Sequence, residues 1–147
     1  MSKRKQIIKV LSANDTGETG AHQAGMCVPK REEILSFFPA LDGSTKNPRK
    51  TIDCYDKSGQ RWELQWIYYN NKFYGGTRNE YRLTCLTRFT KQNGLTAGDS
   101  VILERTDSGL TKIGFQRKNE LQYKTESEGN SERKILKLGN SWKIIDL

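Results

Sequence analysis

The chain has a single histidine, His22, and three cysteines, Cys27, Cys54 and Cys85, which are widely separated and form no Cys-x-x-Cys pair. With no Cys-x-x-Cys pair and no evident metal partners for His22, neither a zinc site nor a disulfide framework is expected. Long apolar runs are missing as well: no stretch approaches the roughly 20 residues of a membrane helix. The basic amino terminus, MSKRKQIIKVLSAN, has an apolar run of a few residues broken by Lys9, too short for a secretory signal. The chain therefore reads as cytoplasmic, with no membrane partner. Acidic residues are in deficit, 17 against 25 Lys plus Arg, for a net charge of +8. That balance favours a polyanionic partner, nucleic acid first.

The chain has 147 residues, 34% of them hydrophobic, which suits one domain with a modest core. No βαβ rhythm and no internal repeat is visible. QIIKVL at residues 6–11 is β-prone, and residues 12–25 (SANDTGETGAHQAG) form a long polar loop of the kind that carries function. MCV reads as a short strand. PKREEILSFFP reads as a helix opened by Pro29, with Glu32 and Glu33 near its positive end, Ile34, Leu35 and Phe38 on one face, and Pro39 as its stop.

TIDCY and RWELQWIYY flank the turn DKSGQ and predict a hairpin. In the second strand Trp62, Leu64, Trp66 and Tyr68 alternate with Glu63, Gln65, Ile67 and Tyr69, giving one strongly aromatic face. NNK is a turn, RLTCL a strand, and TRFTKQNG a short helix ended by Gly94. SVILERT and KIGFQR pair across a DSG turn. Residues 119–134 read as a loop or linker, and residues 135–147 as a C-terminal hairpin. Many short strands and two short helices predict a closed or nearly closed barrel.

The stretch GGTRNEYRLT, residues 75–84, places two arginines, an amide and a carboxylate on one glycine-led loop. In the major groove arginine suits guanine, asparagine and glutamine suit adenine, and glutamate accepts from cytosine. Arg78, Asn79, Glu80 and Arg82 hold that vocabulary. An exposed Arg–Glu–Arg network adds only about 0–1 kcal/mol to stability, so stability does not explain the loop. His22 and Gln23, bracketed by glycines, are a second candidate base-reading pair, set against an ordinary ordered loop. Lys30, Lys46, Arg49, Lys50, Tyr81, Arg88 and Lys91 are candidate backbone contacts, set against a solvated charged surface.

GAHQAGMCVPK, DCYDKSGQRWELQWIYYNNKFYGGTRNEYRLTCLTRF and NGLTAGDSVILER together resemble the amino-terminal effector-binding domain of EcoRII-type restriction endonucleases. The same layout is similar to the plant B-three DNA-binding pseudobarrel. The resemblance covers roughly residues 15–118. It implies a mainly β fold, a seven-stranded open pseudobarrel with two short helices at its ends, within a single domain over 1–147. Two arms would enter the major groove of duplex DNA: an N-arm carrying His22 and Gln23, and a C-arm carrying Arg78, Asn79, Glu80 and Arg82. The implied site is CC(A/T)GG-like. The implied chain is a monomeric binding domain without a cofactor, and Mg²⁺ would serve a separate catalytic domain of the full-length type II endonuclease.

Three other readings stay open. A transcription regulator would use the same pseudobarrel. An RNA or single-strand binder would expose aromatics for stacking, with Tyr69, Phe73 and Tyr74 as the residues to watch. A nuclease would need spaced carboxylates and a lysine around a metal. Asp53 and Glu63-Leu64-Gln65 approach that pattern, with Gln65 at the lysine position.

Overall fold

The computed structural model describes residues 5–16, 25–106, 108–118, 134–138 and 142–146. Strands β1 (Lys5–Val10), β2 (Met26–Val28), β3 (Arg49–Tyr55), β4 (Arg61–Tyr69), β5 (Glu80–Thr84), β6 (Ser100–Arg105), β7 (Thr111–Gln116), β8 (Lys134–Leu138) and β9 (Trp142–Asp146) form one sheet. Their order is β2-β5-β4-β3-β7-β6-β1-β9-β8. Every pairing is antiparallel except β3 with β7, which meet in parallel over two residue pairs.

The fold is mainly β and barrel-like, as expected, but with nine strands among the described residues rather than seven. The terminal hairpin accounts for part of the difference. β1 pairs with β6 along one edge, and β9 covers its other edge from Lys5↔Asp146 to Lys9↔Trp142. That edge would otherwise expose unpaired backbone groups. The core accordingly extends beyond residues 15–118, the span of the resemblance: Ile7, Leu11, Trp142 and Ile144 belong to it. The Trp142 indole also donates to the Cys27 carbonyl at 2.9 Å, tying β9 to β2 at the far end of the sheet.

The helices are shorter than expected. Pro29 does not open α2, which spans only Glu32–Leu35. Arg31 is extended (φ −125°) and its carbonyl takes the first turn's N–H groups, so residues 29–31 remain part of the connection from β2. Two further short elements appear, α1 (Ala13–Thr16) and a 3-10 turn (Asn71–Tyr74). α3 (Thr87–Gln92) ends as expected at Gly94, whose φ is +61°.

β4 decides what faces the core. Its register with β3 is set at the connecting turn, where the Asp56 carboxylate accepts from the Ser58 and Gln60 backbone N–H groups, the Ser58 hydroxyl and the Trp62 indole. The Ser58 hydroxyl and the indole hold that carboxyl down at about 2. Trp62, Leu64 and Trp66 then point inward. Trp66 heads a stacked aromatic ladder: Phe38 lies on one side at 4.0 Å, Tyr81 on the other at 5.3 Å, and Tyr68 stacks on Tyr81 at 4.3 Å. Among the described residues no helix is long and apolar enough to cross a membrane.

Replacing Trp142 by Phe keeps the aromatic volume near the β9–β2 contact but leaves the Cys27 carbonyl without its donor. The expected loss is about 1–2 kcal/mol in urea denaturation, the cost of an orphaned buried acceptor. An unchanged midpoint would show that this contact does not hold the sheet ends together.

Candidate nucleic-acid interface

The face of the sheet opposite the core can be read row by row from the strand register. Crossing β3, β4, β5 and β2, one row is Arg49, Ile67, Arg82 and Cys27; the next is Thr51, Gln65 and Thr84; a third is Asp53 and Glu63. Side chains alternate between faces along each strand, so these groups share one surface. Of these, Arg49, Gln65, Ile67 and Thr84 line a concavity of about 310 Å³ that Asp15, Gly25 and Tyr69 also border. Ile67 is buried although it lies on this outer face.

The C-arm stands at one end of this surface. The Asn71 side chain plugs its loop: Oδ1 accepts the Arg78 backbone N–H at 2.6 Å, and the Asn71 carbonyl accepts from Gly76 at 2.7 Å. A Cβ on Gly76 would fall 2.7 Å from the Asn71 side chain, so the loop needs glycine there. At its root the buried Asn70 accepts from Asn47 and donates to the Gly43 and Thr45 carbonyls. This fixes the neighbouring loop that carries Lys46.

The arm's charges are paired. Arg78 places Nε and Nη2 on Glu80 Oε1, both at 2.8 Å, and its guanidinium lies 3.8 Å from the Tyr69 ring centre. Arg82 Nη2 reaches Glu80 Oε2 at 3.2 Å, and Cys27 Sγ lies 3.8 Å from the same oxygen. Burial alone pushes the Glu80 carboxyl up, but the hydrogen bonds from Arg78 and Arg82 outweigh it, and Glu80 ionises below the ordinary glutamate range. Burial pushes the Cys27 thiol up.

The N-arm springs from the rim of the same concavity. On the outgoing side Ser12 and Asp15 exchange hydrogen bonds as a capping box, and Asp15 pairs with the buried Lys9 at 3.2 Å. On the returning side Gly25 has φ +88°, and a Cβ there would sit 2.5 Å from Thr84 Cγ2. His22 and Gln23 lie outside the described residues.

The structure divides the expected base-reading set. Arg78, Glu80 and Arg82 lie on the concave face, whereas alternation along β5 turns Asn79 and Tyr81 to the other face. There the Asn79 carbonyl accepts the Tyr68 hydroxyl at 2.6 Å. Expecting Asn79 beside the arginines took loop residues as one cluster; strand geometry separates them. Of the expected backbone contacts, Arg49 lines the concavity, and Lys50, one residue on, points to the opposite face. Lys30 and Lys46 are exposed on loops, and Arg88 and Lys91 on α3. Arg88 borders a second hollow with Arg61, Glu63, Cys85 and Thr87. The carboxylates of the nuclease reading, Asp53 and Glu63, both approach Arg61, at 3.8 and 2.6 Å. Of the watched aromatics, Phe73 and Tyr74 are exposed, but Tyr74 donates to the Ser44 carbonyl and Tyr69 is covered by Arg78. Sequence reading missed Tyr69, Gln65 and Thr84 as cleft residues; the period-two pattern of β4 was the signal for the first two.

Residues 2–101 match the family described as restriction endonuclease EcoRII, N-terminal. The chain belongs to this family. It is 40% identical over 85 residues to the type II restriction enzyme EcoRII of Escherichia coli, covering 52% of this chain and 20% of that protein. It is 30% identical over 132 residues to auxin response factor 3 of Oryza sativa subsp. japonica, covering 87% of this chain and 17% of that protein. The chain thus spans about a fifth or less of the curated relatives it matches. The protein in the Arabidopsis FUS3–DNA complex shares the fold, with a TM-score of 0.57 at 22% identity over 75% of this chain and 94% of that one. As an EcoRII N-terminal family member the chain carries a pseudobarrel of the binding type, not a catalytic fold.

Because the folded-state pKa of Glu80 is depressed, its contribution to the arm is present above the unfolded value of about 4.3 and is lost as pH falls through the lower folded value. A carboxyl-detected NMR titration should place Glu80 below ordinary glutamate, and Arg78→Ala should move it upward. A midpoint at or above the ordinary value would show that the ion-pair geometry does not persist in solution.

Proposed function

We propose that this chain binds duplex DNA sequence-specifically, as the effector or target-recognition domain of a type II restriction endonuclease with a CC(A/T)GG-like site. The observation that carries this reading is the preset arginine at the cleft rim. Tyr69 and Glu80 hold the Arg78 guanidinium in one plane, with Nε and Nη2 on Glu80 and Nη1 without a partner among the described residues. A guanidinium fixed in that way suits the paired O6 and N7 acceptors of guanine. His22 and Gln23 would read from the N-arm. Arg49 in the concavity, with Lys30 and Lys46 on their loops and Arg88 and Lys91 on α3, would meet phosphates. Family membership supports the role, and cleavage with Mg²⁺ would reside in another part of the full-length protein.

A second reading, a transcription regulator, is favoured by the auxin response factor relatives, which align over more of the chain than EcoRII does. Both readings share the DNA-binding surface and differ in what is attached to it.

The test is a gel-shift titration at fixed salt with a CC(A/T)GG duplex, a scrambled duplex and a single strand of equal length, because phosphate contacts make affinity steeply salt-dependent. Cognate preference of roughly a hundredfold or more is expected for specific recognition. Equal binding of the two duplexes would remove the assigned site, and preference for the single strand would overturn duplex recognition. Arg78→Ala should cost about 1–3 kcal/mol on the cognate duplex and relax the preference at one base pair, whereas Arg49→Ala should weaken all duplexes alike. Equal effects of both changes on cognate and scrambled DNA would remove Arg78 as a reader.

A further inference from the structure

We infer that Arg82, expected from sequence to read a base, instead ties the roots of the two arms together and acts as a positioning residue. The inference rests on the duplex-binding reading for its consequence, but the tie itself is a property of the free protein. Arg82 Nη1 donates to the Gly25 carbonyl at 2.9 Å, at the point where the N-arm rejoins the sheet. Nη2 donates to Glu80 at 3.2 Å. Nε is closed off from solvent with no partner, so the Nε edge is not open to a base. The side chain is only 23% exposed. An arginine that reads guanine offers two free donors side by side; here each Nη already has an acceptor, on opposite arms.

The tie is continuous. Gly25 is joined to Arg82, Arg82 to Glu80, Glu80 to Arg78, and Arg78 lies on Tyr69. The strand it reinforces is short: β2 has three residues and, among the described residues, pairs with β5 alone. Gly25 is held against β5 by a packing so close that no side chain fits. Fixing both arm roots before DNA arrives removes ordering cost from the binding step. Losing the tie should therefore weaken recognition at every base position together, where losing a reader relaxes one position.

Arg82→Lys separates the possibilities. It keeps the charge but lacks the planar fork that spans two acceptors. With circular dichroism confirming the fold, affinity for the cognate duplex should fall about tenfold or more. The loss should be spread evenly over a panel of duplexes with one base pair changed at a time, with the salt dependence unchanged. In the free protein, backbone amide exchange across Met26–Val28 should run several-fold faster than in the wild type, whereas Arg78→Ala should leave it unchanged. Should Arg82→Lys fail to fold, Glu80→Gln loosens the same link from its other end and is read by the same exchange. A loss confined to one base pair with β2 exchange unchanged would make Arg82 a base reader and overturn the proposal. Wild-type affinity and exchange in Arg82→Lys would overturn it too. Failure of the wild-type protein to prefer any duplex would defeat the proposed function, while the exchange rates would still decide the tie.

Discussion

The register of β4 against its neighbours is the constraint on which the remainder of the molecule rests. This strand has two faces with incompatible chemistry. Trp62, Leu64 and Trp66 fill the core, while Gln65 and Tyr69 meet the cleft and Glu63 lies on the same outer face. A slip of one residue would exchange the two sets, placing a carboxylate in the core and an indole on the cleft surface. Asp56 prevents the slip at the hairpin end, by holding the turn with its carboxylate and the first inward tryptophan by its indole. The aromatic ladder through Phe38, Trp66, Tyr81 and Tyr68 holds the other end and finishes at Asn79, inside the C-arm. The core and the arm are therefore one mechanical unit, with the arm's inner side an extension of the hydrophobic packing.

On the outer face the same register produces a graded electrostatic surface. Nearest the C-arm, the row of Tyr69 and Glu80 has its carboxylate neutralised by Arg78 and Arg82; the next row carries Arg49 and Arg82, the middle row is neutral with Thr51, Gln65 and Thr84, and the last carries Asp53 and Glu63. Like charges directly opposite one another across strands destabilise a sheet, and Arg61 lies against both carboxylates. A phosphate backbone would meet an attractive field near the arms and a weaker one towards the acidic row. Surface electrostatics thus favours the end of the face where both arm roots stand, before any base is contacted.

Period two made much of this legible beforehand. MCV, RWELQWIYY and the SVILER–KIGFQ pair are short, β-rich runs bounded by turn residues, and each appears as a strand within a residue or so of its expected limits. Helix α2 was less legible, because Pro29 and two glutamates satisfy local rules for a helix start, while the connection from β2 keeps residues 29–31 out of it. The terminal hairpin was visible as two strands, but its docking on β1 was not: strand neighbours distant in sequence leave no local signature. The site was partly legible for the same reason. Residue types in 78–82 announced polar chemistry, yet a list of types carries no direction. Continuing the alternation into the arm would have separated Arg78, Glu80 and Arg82 from Asn79 and Tyr81.

Glu80 shows why direction matters more than vocabulary. A carboxylate near DNA is repelled by phosphate, so its place among arginines first suggested a contact with cytosine. In the structure both of its oxygens are engaged, one by Arg78 and the other by Arg82. Its charge offsets repulsion between two guanidinium groups that would otherwise be held apart, and lets them share a small area. A buried or half-buried charge is tolerated only when it is paired and hydrogen-bonded. Three charged side chains here satisfy one another with a net charge of a single cation. The arrangement presents Arg78 as that cation in a defined orientation, and through the Gly25 carbonyl it links the arm's charges to the root of the other arm.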